Sequence, residues 1–171
     1  METIERRVIQ GLKAEFREDG KPGRITGYAA VFDKPSEDLG GFVEYIRKGA
    51  FTQAIQGDVR ALFNHDPNYV LGRNTSGTLR LTSDERGLHY DVDLPDTTWA
   101  KDLAVSVSRG DVSQSSFAFE VTEETWDYGQ RGEMPLRTIK AVRLYDVSPV
   151  TYPAYQATSV SARSTPAWRK T

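Results

Sequence analysis

Apolar and polar residues alternate with a period of two along most of this chain, and that period belongs to half-buried β-strands. The clearest runs are Thr78-Leu79-Arg80-Leu81-Thr82 and Gly87-Leu88-His89-Tyr90-Asp91-Val92-Asp93-Leu94, separated by Ser83-Asp84-Glu85-Arg86-Gly87. Together they predict a β-hairpin. Shorter mixed runs over 6–10 and 13–17 are bounded by Gly11 and by the turn signal Asp19-Gly20-Lys21-Pro22-Gly23. Residues 24–32 read as a buried strand in which Gly27 allows a bulge or a close neighbour. A polar loop over 33–41 leads to an alternating strand over 42–46. Residues 50–55 have helical spacing for only one or two turns. An apolar strand over 59–63 ends at Asn64-His65-Asp66-Pro67, where the chain must turn.

The period changes between Pro95 and Gly110. Trp99, Leu103 and Val107 recur at four-residue spacing, Asp96 or Thr97 supplies an N-cap, and Gly110 supplies a stop. A helix is predicted there. Two strands follow, near 112–122 and 137–147, and the charged, glycine-containing stretch 123–135 reads as a long hairpin loop. After Pro153 the chain is rich in Ser, Thr, Ala and Pro, with apolar spacing too weak to hold a core element beyond a short helix. The expectation is one domain over 1–155 and a flexible C-terminal tail over 156–171. Mostly antiparallel strands with one clear helix predict an α+β, mainly β fold, a small barrel-like domain.

Composition narrows the function classes. The 171 residues suit one domain with a full core. A net charge of -2 gives no field suited to a nucleic-acid backbone. The absence of cysteine excludes disulfides, a thiolate nucleophile and thiolate-held zinc, and leaves the redox compartment open. No apolar run approaches the roughly 20 residues that span a bilayer. The N-terminal residues lack the apolar core of a signal peptide, so a cytosolic protein without membrane attachment is the default. Two separated histidines give no usual zinc spacing, and no phosphate-cradling glycine loop occurs, so no metal and no cofactor are expected.

The candidate chemistry lies in two segments. His65 sits at a strand-to-loop junction, a place where a side chain is fixed at its root and reachable at its tip, as a general base requires. The second segment is Ser113-Gln114-Ser115-Ser116-Phe117-Ala118-Phe119-Glu120. Alternation puts Phe117 and Phe119 on one face with Ser115, and Ser116 with Ala118 on the other. The small residue at 118 leaves room beside Ser116, which favours Ser116 over Ser115 as a nucleophile for acyl transfer. The other histidine, His89, falls on the polar face of its hairpin strand, opposite Leu88 and Tyr90, and reads as a solvated residue of an edge hairpin. Acids that could orient an imidazole are Asp66, Glu120 and Asp146. Asp66 is adjacent to His65, and neighbours in an extended segment point apart.

The order and wording of several segments carry a resemblance. Gly27-Tyr28-Ala29-Ala30-Val31-Phe32 is followed by Ile46-Arg47-Lys48-Gly49-Ala50-Phe51 and by Leu62-Phe63-Asn64-His65-Asp66 with Leu71-Gly72-Arg73. Then come Ser115-Ser116-Phe117-Ala118-Phe119, Leu144-Tyr145-Asp146-Val147-Ser148 and Val150-Thr151-Tyr152-Pro153-Ala154-Tyr155. In this order, over roughly 24–155, they resemble the prohead proteases of tailed bacteriophages, which share a fold with the herpesvirus capsid-maturation proteases. The resemblance implies a serine endopeptidase acting in the host cytoplasm, inside the assembling prohead. Its implied partners are the major capsid protein with its scaffolding segment, and the protease itself through self-cleavage. Position by position, it implies His65 as general base, Ser116 as nucleophile and Asp146 as the acid behind the histidine. Ala118 replaces the family's usual glycine, and Ser115 stands where methionine is usual. The herpesvirus enzymes use a second histidine, for which His89 would be the counterpart here. The family's C-terminal targeting segment is shed by self-cleavage, so a processed or truncated core is an expectation for this chain. The alternative is a catalytically inactive capsid- or scaffold-binding module of the same fold. Cleavage preference and self-association stay open, as do the oxyanion donors, for which backbone amides near 148–151 and Arg143 are candidates.

Overall fold

The structure, a computed structural model, describes residues 3–152. In chain order the strands are β1 (Glu5–Gln10), β2 (Lys13–Phe16), β3 (Pro22–Val31), β4 (Val43–Ile46), β5 (Arg60–Phe63), β6 (Asp66–Arg73), β7 (Leu79–Ser83) and β8 (Gly87–Asp93). Helix α1 (Thr98–Arg109) and the long strands β9 (Gln114–Asp127) and β10 (Leu136–Val150) complete the order. The expected mainly β, α+β class is what the chain adopts. The strands form two sheets, β1-β9-β10-β5-β6 and β2-β3-β8-β7, with β4 also paired to β10. Neither sheet closes into a barrel, and the first is mixed, because β10 runs parallel to both β4 and β5. The expected tail over 156–171 lies outside the described residues. Among those residues no helix is long and apolar enough to cross a membrane.

The core lies where the two sheets and α1 meet. Phe117, Phe119, Leu144 and Val147 face Ile25, Leu88, Tyr90 and Val92, with Leu103 and Val107 of the helix packed alongside. Phe117 stacks on Phe119 at 4.5 Å between centroids and meets Phe51 edge-on at 5.5 Å. Each such side chain contributes roughly 1.5–3 kcal/mol on burial. The helix begins and ends as its sequence predicts. The Thr97 hydroxyl accepts from the Ala100 amide, and Gly110 takes the left-handed conformation at φ 86°. Trp99 departs from the pattern. It is only half-buried, and its ring meets Tyr69 of β6 edge-on at 5.3 Å.

Three strands are longer or newer than the sequence pattern suggests. The β9–β10 ladder continues to the pair Asp127–Leu136, so the connecting loop shrinks to 128–135. The residues between are charged and look like loop, but they pair across the ribbon, with Arg137 donating to Glu124 at 3.1 Å. Strand β6 starts at Asp66-Pro67-Asn68, residues of low strand propensity. It is the edge of its sheet, where the missing proline N–H breaks no ladder.

An ion-pair network fastens β1 to β4 and β10. Arg7 donates to Glu44 at 2.8 and 2.9 Å and to Glu5 at 2.9 Å, and Arg137 donates to Glu5 at 2.7 Å. Burial opposes the ionisation of Glu5, yet the Arg137 hydrogen bond and the charges of Arg7 and Arg137 hold its carboxyl below the usual range. The β1–β9 ladder places Val8 opposite Ser116, and β9 lies between β1 and β10. That interior position makes β9 a rigid mount.

Candidate active site

Strand alternation sends the two adjacent serines of β9 to opposite faces. Ser115 points into the core, where its Oγ lies 2.7 Å from the hydroxyl of Tyr90. Tyr90 is fully buried, which pushes its phenol above the ordinary range, while the Ser115 hydrogen bond pulls weakly the other way. Ser116 points to the far face and pairs in register with Ser148 of β10.

Asp146 and Ser148 are two apart on β10 and share that face. The Ser148 hydroxyl donates to Asp146 Oδ1 at 2.8 Å and accepts from the His65 backbone N–H at 3.3 Å. Both residues are buried. One hydroxyl therefore ties the carboxylate to the chain that carries the histidine.

His65 is delivered by a tight turn between β5 and β6. Phe63 pairs with Asp66, leaving Asn64 and His65 as the turn residues, both left-handed at φ 56° and 58°. A two-residue hairpin turn of type I′ needs positive φ at both central positions, which asparagine tolerates and histidine adopts at a cost of about 1–3 kcal/mol. The end of β10 offsets that strain. Asn64 donates its backbone N–H to the Pro149 carbonyl at 3.0 Å, and its Oδ1 accepts from the Thr151 amide at 2.9 Å. The Asn64 side-chain amide donates to Thr151 Oγ1 at 3.2 Å. Strand β10 thus sets the turn and the acid from one backbone.

The imidazole bridges the acid and the serine. His65 Nδ1 lies 2.6 Å from Asp146 Oδ1, and Nε2 lies 2.7 Å from Ser116 Oγ. An ionised carboxylate only accepts, so Nδ1 carries the hydrogen and Nε2 turns its lone pair toward the Ser116 hydroxyl. The side chains of His65 and Asp146 are 5% and 10% exposed, so the relay is largely screened from water. Ser–His–Asp connected through both imidazole nitrogens is the arrangement that proton transfer from a nucleophilic hydroxyl requires.

Of the other candidates, none is brought to Nδ1 of His65. Glu120 accepts from the Tyr145 hydroxyl at 3.4 Å and lies 3.8 Å from Arg143. His89 stands in the other sheet, edge-on to Tyr28 at 5.0 Å. Its polar-face placement is as expected, but β8 is an interior strand, with β7 at the edge. Asp66 begins β6 and accepts from the Asn68 amide at 2.9 Å. Among the amides near 148–151, that of Thr151 is already committed to Asn64. The hydroxyl of Ser148 and the clamp made by Asn64 are additions to the residues expected from the sequence. Both had a signal: Ser148 shares the parity of Asp146, and asparagine before histidine marks a turn that needs positive φ.

Comparison with known proteins gives this geometry its context. The chain is 30% identical over 153 residues to the prohead protease of Enterobacteria phage HK97, an alignment covering 86% of this chain and 63% of that relative. It therefore spans less than two thirds of that relative's length. The bacteriophage T4 capsid assembly protease superposes with a TM-score of 0.51 at 13% identity, covering 87% of this chain and 99% of the other, which is a likeness of fold. The family model for the caudovirus prohead serine protease matches residues 11–170, and with the serine, histidine and turn described above falling inside that match, the chain belongs to this family.

Proposed function

We propose that this protein is a serine endopeptidase of capsid maturation, with residues 1–155 as its catalytic domain. Ser116 is the nucleophile, His65 the general base, and Asp146 the acid that holds the imidazole. The observation that carries the reading is the double engagement of His65, 2.6 Å from Asp146 and 2.7 Å from Ser116. In the first step Nε2 takes the hydroxyl proton as Ser116 Oγ attacks a peptide carbonyl. Asp146 stabilises the imidazolium, which then gives that proton to the leaving amine. Water hydrolyses the acyl-enzyme by the same relay in reverse. The substrates are the scaffolding segment of the major capsid protein and the protease's own chain, cut inside the prohead in the host cytoplasm.

Co-expression with the major capsid protein tests the assignment. Ser116→Ala and His65→Ala should each abolish processing, seen as loss of the shortened capsid species by intact mass. A serine-reactive phosphonate should label the wild type and not Ser116→Ala. Full processing by Ser116→Ala would move the nucleophile elsewhere, first to Ser115. A folded wild type that neither cleaves nor takes label is a binding module and not an enzyme.

A further inference from the structure

Between the β5–β6 turn that carries His65 and helix α1 lies a cavity of about 320 Å³. Phe63 and Leu103 give it apolar walls, and Asn64 and Asp66, the neighbours of His65 in sequence, also line it. Tyr69 and Trp99 also line it, meeting edge-on at 5.3 Å. Tyr69 keeps 42% of its surface exposed, a large ring that the core does not claim. The half-buried Trp99, which breaks the helix's inward pattern, is accounted for by this cavity. Asp66 and Asp102 supply carboxylates, and among the described lining residues none is basic. Asp66 Oδ1 is steadied by the Asn68 amide and side chain at 2.9 and 3.1 Å.

We propose that this cavity is a specificity subsite that takes a lysine or arginine side chain of the peptide, within two residues of the scissile bond. The proposal rests on the serine endopeptidase reading and adds to it a preference. Apolar walls suit the methylene stem, the faces of Tyr69 and Trp99 attract a cation, and the Asp66 and Asp102 carboxylates neutralise it. An acidic side chain would meet two like charges there, so the same pocket rejects it. A wider groove of about 530 Å³ between β2 and β8 has no such asymmetry. Its Arg24 is already matched by Glu15 and Asp91, and it takes no residue from the β5–β6 turn that carries His65.

Cleavage profiling on a peptide library, read by mass spectrometry, tests the subsite. Wild-type cuts should be enriched in lysine or arginine within two positions of the cleaved bond. Asp102 is exposed on α1 and outside the relay, so its substitution should leave folding and phosphonate labelling of Ser116 unchanged. Asp102→Asn should lower kcat/KM for basic-residue peptides about tenfold, and Asp102→Lys should reverse the preference toward glutamate and aspartate. A wild-type profile without basic enrichment, or enrichment that survives Asp102→Lys, overturns the subsite and leaves the relay standing. Loss of phosphonate labelling in the wild type overturns both.

Discussion

Ser115 and Ser116 are neighbours in sequence, yet the two faces of β9 give them opposite chemistry. Ser115 is locked in the core against a phenol, a partner that burial keeps neutral and that takes no proton near pH 7. Ser116 faces an imidazole whose other nitrogen is held by a carboxylate, a partner built to take a proton. The hydroxyls are the same and both are buried. What differs is whether the group across the hydrogen bond can change its protonation state. On the proposed reading, that difference separates a structural hydroxyl from a nucleophilic one.

The sharpest way to break the comparison is to remove each hydroxyl in turn. Ser116→Ala should lower kcat on a fluorogenic peptide by roughly 10⁶. Ser115→Ala should keep it within about tenfold, since its hydroxyl does not touch the relay. A reversed order of these effects would sink the assignment. Next in size is Asp146→Asn, which retains shape but no longer fixes the tautomer, with an expected loss of about 10⁴ in kcat.

Ser148→Ala probes the tie between the acid and the turn. It leaves Asp146 without one donor and the strained His65 N–H without its acceptor, so kcat should fall about 10–100-fold with KM little changed. Ser148→Thr retains the hydroxyl and should recover most of the rate. Equal losses in both variants would point to packing alone.

On the core face the effects are on stability. Ser115→Ala leaves the Tyr90 hydroxyl buried without its partner and should cost about 1–3 kcal/mol by urea unfolding. Adding Tyr90→Phe removes the orphan and should restore part of that loss, giving a non-additive cycle. The smallest effect is on pH dependence. The Tyr90 phenol is raised on folding, so its contribution is fully present below its ordinary value of 10.0 and is lost as pH rises above it. Thermal unfolding followed from about pH 9 to about pH 12 should show the wild type falling more steeply than Tyr90→Phe.

The elements that read cleanly were those whose local pattern and tertiary role agree. The β7–β8 hairpin alternates because one face is core and one is wet, and α1 carries both its cap and its stop. The segments that read poorly owe their form to distant partners. Strand β6 exists because β5 offers it an edge, despite Pro67 and Asn68. The outer halves of β9 and β10 are strand because charged residues find each other across the ribbon. The parallel pairing of β10 with β4 and β5 has no local signal, since neither partner is near in sequence.

By itself the sequence determined the mainly β class, the place of the helix, the face on which Ser116 stands, and the residue types a hydroxyl-based hydrolase needs. These follow from a strand period of two and from the chemistry of single side chains, both local properties. Only the tertiary structure decided which acid meets His65, that Ser148 ties that acid to the turn, and that Tyr69 and Trp99 open a cavity beside it. Asp146 and His65 are 81 positions apart, and Ser116 and His65 are 51 apart. Contacts at such separations depend on which strands become neighbours and in what register, and burial across the whole sheet sets both.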